Sequence, residues 1–130
     1  MLKVGDFLKI TDKVDEGMLA VAMGSGELEV LATPSVAALM ENAASNLAKK
    51  DLSEEFTTVG TMINIEHTSP TPLGAEVKAK AVLLETDGRF FKFEVEAYDK
   101  KGIIAKGTHT RVSVKADKFQ KKADEKFNEV

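Results

Sequence analysis

One stretch limits what this chain can become. Residues 33–50, TPSVAALMENAASNLAKK, carry the one long helix-period pattern among segments that otherwise alternate like strands. Apolar residues recur at Val36, Leu39, Met40, Ala43, Ala44 and Leu47, the spacing of a helix with one face on a core. Thr33-Pro34 is a start signal, because threonine caps free backbone N–H groups and proline suits the first helical turn. Lys49 and Lys50 suit the negative end of the helix dipole. Glu41 stands outside the apolar stripe. At about 100° per residue it sits about 140° from Val36, beside Ala37, Ala44 and Ala48, where short side chains let a backbone or a ligand come close.

The flanking segments supply the surface for that helix. Residues 7–14 alternate loosely as a first strand, and 16–32 are apolar but broken by Gly17, Gly24 and Gly26. This second segment is an irregular connector with about one helical turn, of the kind that lies over a pocket or plugs a core edge. Residues 56–67 form a strand with Val59, Thr61, Ile63, Ile65 and His67 on one face and Gly60 and Met62 on the other. The prolines and glycine of TSPTPLG end it. A meander follows, with Val77, Ala79, Ala81 and Leu83 inward, an Asp87-Gly88 hairpin, then Phe91, Phe93, Val95 and Ala97 inward. In 103–115 the parity is divided, Ile104, Val112 and Val114 against Ile103 and Ala105, and Gly107 is the expected bulge. Residues 1–115 are expected to form one domain, and 116–130 a polar helical tail with Phe119, Ala123 and Phe127 four apart. One helix on one antiparallel sheet is an α+β two-layer fold.

Composition removes many chemistries. The chain has no cysteine, which excludes thiol nucleophiles, zinc–thiolate sites and disulfides. A net charge of −3 without a basic, aromatic-interleaved stripe disfavours nucleic acid. No run has a membrane span's length and no signal-like segment opens the chain, so a cytoplasmic protein without a membrane partner is expected. No phosphate-binding glycine loop, HExxH-type metal motif or GxSxG elbow is present.

Few residues remain to carry chemistry. His67 ends an apolar strand before a turn, where imidazole exchanges protons with a cleft or simply bonds a backbone carbonyl at the core edge. His109 fits a solvated strand position, and Arg111 an exposed strand arginine or an anion ligand. Thr33 has its cap to form and Glu41 is an ordinary helix carboxylate, unless the two join His67 as hydroxyl, carboxylate and imidazole for acyl transfer or hydrolysis. Thr33 and Glu41 lie about 12 Å apart along the helix, so a common site needs tertiary or subunit geometry. Gly60, in mid-strand, admits a close approach, with its N–H as a donor to a carbonyl.

Taken together, VLATPSVAALME, TTVGTMINIEH, HTSPTPLG and GTHTR resemble the fluoroacetyl-CoA thioesterase family of hotdog-fold acyl-CoA thioesterases, over about Val30 to Val114. The resemblance implies a curved antiparallel sheet wrapped around the helix, and hydrolysis of an acyl-CoA thioester at a homodimer interface. It gives Thr33, Glu41 and His67 the catalytic roles and Gly60 and Arg111 substrate contacts, with no metal and no cofactor beyond the CoA of the substrate. Glu41 would attack the thioester carbon or activate water, Thr33 would position it, and His67 would move protons. Residues 15–32 lack the phenylalanines of the fluoroacetyl-specific enzyme, which implies a different acyl group. The competing readings are a non-catalytic acyl-CoA or acyl-ligand binder, an enoyl-CoA hydratase of the same fold, for which no Asp–His pairing is apparent, and a dimeric interaction protein.

Overall fold

A computed structural model describes residues 1–128. Strand β1 (Phe7–Lys13) leads through a short turn of 3-10 helix to α1 (Ala20–Met23) and the long helix α2 (Thr33–Lys49). Strands β2 (Phe56–His67), β3 (Glu76–Thr86), β4 (Phe90–Asp99) and β5 (Gly102–Lys115) follow, then α3 (Ala116–Asp124). The strands form one antiparallel sheet in the order β1-β3-β4-β5-β2, so β1 and β2 are its edges. Of the expected tail, Glu129 and Val130 lie outside the described residues, and α3 buries none of its side chains.

The helix seats as its pattern predicts. Val36, Leu39, Met40, Ala43, Ala44 and Leu47 are buried, and they face Val77, Ala79, Ala81 and Leu83 of β3 and Phe91, Phe93, Val95 and Ala97 of β4. Alanines on both surfaces let helix and sheet approach closely, while Phe91 and Phe93 fill the remaining volume. Each large side chain buried here contributes about 1.5–3 kcal/mol over leaving it exposed.

Two strand readings need correction, both because bulges change the phase. In β5 the register slips at Ile104, where Ala97 pairs with Ala105 but Tyr98 with Ile103. Beyond that point Ala105, Gly107, His109 and Arg111 share the inward face, opposite Ala97, Val95, Phe93 and Phe91, and Val112 and Val114 point outward. In β2 the slip is at Thr61, between the Gly60–Arg111 and Met62–Thr110 pairs. Thr58 and Gly60 therefore face inward with Ile63, Ile65 and His67, and Val59 does not.

Gly107 is not a bulge, since its pairing with Ile65 and Val95 is continuous. It is needed for a different reason. A Cβ there would overlap the Asn64 carbonyl oxygen of β2, a backbone atom that cannot swing aside. Gly107→Ala is expected to destabilise the fold by about 3 kcal/mol, the upper end for overpacking. Chemical denaturation measures this, and an unchanged midpoint would contradict the contact.

Candidate active site

The residues singled out in the sequence gather at two places. At the first, Thr33 opens α2 and His67 closes β2, and Thr33 Oγ1 lies 2.8 Å from His67 Nδ1. Thr33 is not the helix cap. Ala32 occupies that position, leaving Thr33 one residue inside the helix with its hydroxyl free to meet the imidazole. His67 Nε2 is shielded from solvent and has no hydrogen-bond partner within the described residues. Both side chains line a cavity of about 290 Å³ with Ala20, Ser25, Val30 and Leu31 from the segment before α2. That segment is closed on itself by an isolated bridge from Leu19 to Leu31 and held at the cavity by one from Val30 to Pro72 and by Leu31 N–H donating to Thr71 O at 2.9 Å.

At the second place, Glu41 reaches from the middle of α2 toward Gly60 on β2. A Cβ on Gly60 would stand 3.2 Å from Glu41 Oε2, 3.2 Å from His109 Cε1 and 3.4 Å from Arg111 Nη1, so even a methyl group would be crowded there and the glycine lets all three side chains close on the backbone of β2. Arg111 is only 8% exposed and His109 1%, which overturns the reading of both as solvated strand residues. The phase slip at Ile104 turns them inward.

This second group is tightly wired. Arg111 Nε donates to Thr58 Oγ1 at 2.7 Å and Nη2 to Thr58 O at 2.9 Å, leaving Nη1 toward His109 Nε2 at 3.1 Å. His109 Nδ1 lies 2.7 Å from Met62 O. A carbonyl only accepts, so Nδ1 carries the proton and Nε2 presents its lone pair to Arg111. Burial pushes the His109 pKa below its usual value of 6.5; the Met62 carbonyl opposes this, Arg111 assists it, and Glu41 opposes it more weakly. Burial also lowers the pKa of Arg111, and the nearby Glu41 raises it. Among the described residues the ion pairs are Met1–Asp51, Lys115–Glu55 and Lys121–Glu125, so this buried guanidinium has no carboxylate at ion-pair distance. It is held by neutral acceptors and keeps positive charge next to Gly60.

Within one chain the two groups stay apart. Thr33 and Glu41 are separated by about 12 Å along α2, and Gly60 and His67 by about 20 Å along β2. Sequence reasoning missed His109 and Thr58, although the inward parity of Ala105 would have revealed His109 had the slip at Ile104 been recognised. Among the described residues no cluster of side chains suits a metal ion.

A long central helix lying in a curved five-stranded antiparallel sheet, with polar groups at the helix start and on its shoulder, defines a hotdog protein. Over 98% of this chain and 94% of the other, it superposes with a TM-score of 0.86 on a hot-dog-like protein from Thermanaerovibrio acidaminovorans, at 24% identity. The profile of the family described as fluoroacetyl-CoA-specific thioesterase matches residues 14–117, and the chain belongs to that family. The fluoroacetyl-CoA thioesterase of Streptantibioticus cattleyicolor is 35% identical over 98 residues, 75% of this chain and 70% of that protein. The solved structure of the fluoroacetyl-CoA thioesterase FlK superposes with a TM-score of 0.91 at 30% identity, covering 97% of this chain and 98% of that one.

The wiring of His109 has a measurable consequence. The unfolded chain binds a proton at this histidine near pH 6.5, and the folded one only at lower pH. Its contribution to stability is therefore complete above pH 6.5 and is lost as pH falls toward the depressed folded value. The melting temperature is expected to be flat above that pH and to decline below it, and His109→Gln to flatten the decline. Identical profiles for the two proteins would contradict the neutral, buried assignment.

Proposed function

We propose that this protein is an acyl-CoA thioesterase that hydrolyses a thioester to the free acid and CoA, with sites shared between two copies of the chain. The observation that carries this reading is the pairing of Glu41 with Gly60 and Arg111 at one place and of Thr33 with His67 at another. In the Glu41 group the Thr58 hydroxyl and the His109 imidazole are already engaged with Arg111 and Met62 O, so a hydroxyl and an imidazole that are not tied to Arg111 come from the Thr33–His67 pair.

The exposed edge of β2 favours a dimer that joins them. Across its twelve residues β2 carries one charge, Glu66, and no proline, whereas the opposite edge, β1, carries Lys9, Asp12 and Lys13. An edge of this length with a single charge is a template for another strand. Antiparallel pairing of β2 with its copy about a two-fold between Ile63 and Asn64 places Gly60 opposite the partner's His67. The Glu41 group of one chain then meets the Thr33–His67 pair of the other.

In this site the thioester carbonyl lies beside Gly60, its oxygen toward the backbone N–H, where the growing negative charge is stabilised. Arg111 adds positive charge nearby. Glu41 acts by one of two routes. In the first it attacks the carbonyl carbon itself, so that breaking the C–S bond leaves an acyl–Glu41 anhydride, which a water then cleaves to the free acid and the regenerated carboxylate. In the second it takes a proton from a water that attacks the carbon, so that breaking the C–S bond gives the free acid directly. In both routes that water also supplies the proton that restores His67. The departing thiolate takes its proton from His67, which Thr33 orients through Nδ1. CoA enters as part of the substrate, and the scheme uses no separate cofactor. The acyl group lies under residues 16–32, which contain no phenylalanine, so the reading is of an acyl group other than fluoroacetyl.

Glu41→Gln and His67→Ala are each expected to lower turnover on a responsive acyl-CoA by at least about a hundredfold, the usual scale for acid–base groups. Unchanged thiol release in both would eliminate the assignment. Mixing the two inactive variants and allowing subunit exchange is expected to restore about a quarter of wild-type activity, because half the dimers are then mixed and each holds one intact site. No recovery on exchange would place the whole site within one chain.

A further inference from the structure

Thr71 lies between two prolines in the turn that ends β2. Pro70 and Pro72 have no backbone N–H to bond, and each also holds the residue before it in an extended conformation. The turn is therefore stiff but short of donors with which to anchor itself. Its two ends are fastened separately, Thr68 N–H donating to Ile104 O at 2.8 Å and Gly74 N–H to Val14 O at 2.8 Å. Its middle is fastened by the side chain of Thr71, which is completely buried. Thr71 Oγ1 donates to Asp99 Oδ2 at 2.9 Å, and Asp99 Oδ1 accepts from Lys101 N–H at 2.8 Å. Asp99 pairs with Gly102 where β4 turns into β5, so this carboxylate is fixed to the sheet itself. The main chain of Thr71 faces the other way. Its carbonyl accepts from Leu31 N–H at 2.9 Å, beside the Val30–Pro72 bridge, and so holds the segment of residues 16–32. Within that segment Ala20 N–H donates to Val30 O at 2.8 Å, which ties two residues lining the Thr33–His67 cavity to the same point.

We propose that Thr71 and Asp99 are positioning residues for thioester hydrolysis. Their hydrogen bond sets how closely residues 16–32 stand over the Thr33–His67 pair, and thereby limits the size of the acyl group admitted. Both residues act through that segment and touch no reacting atom, and the role rests on the thioesterase reading for its substrate. Because Thr68 fastens the His67 end of the turn independently, breaking the Thr71–Asp99 bond loosens the cover and leaves the imidazole where it is. The effect therefore falls on substrate discrimination and KM, with the chemical step preserved.

The test compares Thr71→Val, which removes the donor and keeps the shape, with Thr71→Ser, which keeps the donor, and Asp99→Ala, which removes the acceptor. Thr71→Ala replaces Thr71→Val if the latter does not fold. Amide hydrogen exchange of the intact protein is expected to accelerate by at least about tenfold at residues 19–31 in the variants that lack the bond, the scale for losing a hydrogen bond to a charged group, and to stay unchanged in the sheet. Across an acyl-CoA panel, the ratio of kcat/KM between the preferred acyl group and one a methylene larger is expected to fall at least about threefold, through KM. Thr71→Ser is expected to restore both readouts. A lower melting temperature with wild-type selectivity and no local change in exchange would reduce the bond to a purely structural one and overturn the assignment. A uniform loss of kcat on every substrate would overturn it too, because the effect would then lie at His67. Wild-type protein that releases no thiol from any acyl-CoA would remove the thioesterase reading instead, and accelerated exchange confined to residues 19–31 would still uphold Thr71 and Asp99 as the joint that positions the segment.

Discussion

Everything in this molecule depends on how closely α2 can lie in its sheet. Ala43 and Ala44 of the helix and Ala79, Ala81, Ala97 and Ala105 of the strands keep the two layers near each other. That closeness makes the helix a rigid ruler on which Thr33 and Glu41 are fixed at two heights. It also decides which strand atoms each meets, the end of β2 for Thr33 and its bulged middle for Glu41.

The second constraint is electrostatic. A guanidinium as buried as Arg111 is costly unless its donors are satisfied. Here Thr58 takes two of them and the lone pair of a neutral His109 takes a third. His109 performs that task only because Met62 O fixes its tautomer and the stack on Phe93, with ring centroids 6.2 Å apart, keeps water away. The network uses no carboxylate. Glu41 is thereby left beside the positive charge without being consumed by it, which suits a group that must act on an incoming carbonyl.

The fold was largely legible from alternation and period. The apolar stripe of α2 and the inward residues of β3 and β4 follow from spacing alone, since these stretches keep their phase across the core. Where a strand changes phase, pattern reasoning fails without warning. The slip at Ile104 carries no glycine or proline, and the one at Thr61 is marked by the preceding Gly60, which the sequence presents only as a close approach; together they invert the faces of β5 and of the first half of β2. That error hid His109, Thr58 and the burial of Arg111 together, while Gly107, the obvious suspect for a bulge, serves a close contact. Thr33 was misplaced by a single helical position, the ordinary uncertainty of a helix end. Its partnership with His67 is a long-range contact that no local rule contains, and its identification as a site residue came from resemblance.

Residues 16–32 are attached to this scaffold differently from everything else. They contribute no strand to the sheet; an isolated bridge at Leu19–Leu31 closes the segment on itself and one at Val30–Pro72 ties it to the turn after β2, with Val21, Met23 and Leu28 substantially exposed. Leu19 and Leu31 of this flap belong to the core beneath α2, but exchanging its exposed side chains, Val21 and Leu28 among them, leaves the helix seat and the Arg111 network untouched. Selectivity can therefore drift under selection while the machinery beneath it stays constant, so that one scaffold can be retuned from one small acid to another by changes confined to a few loosely anchored positions.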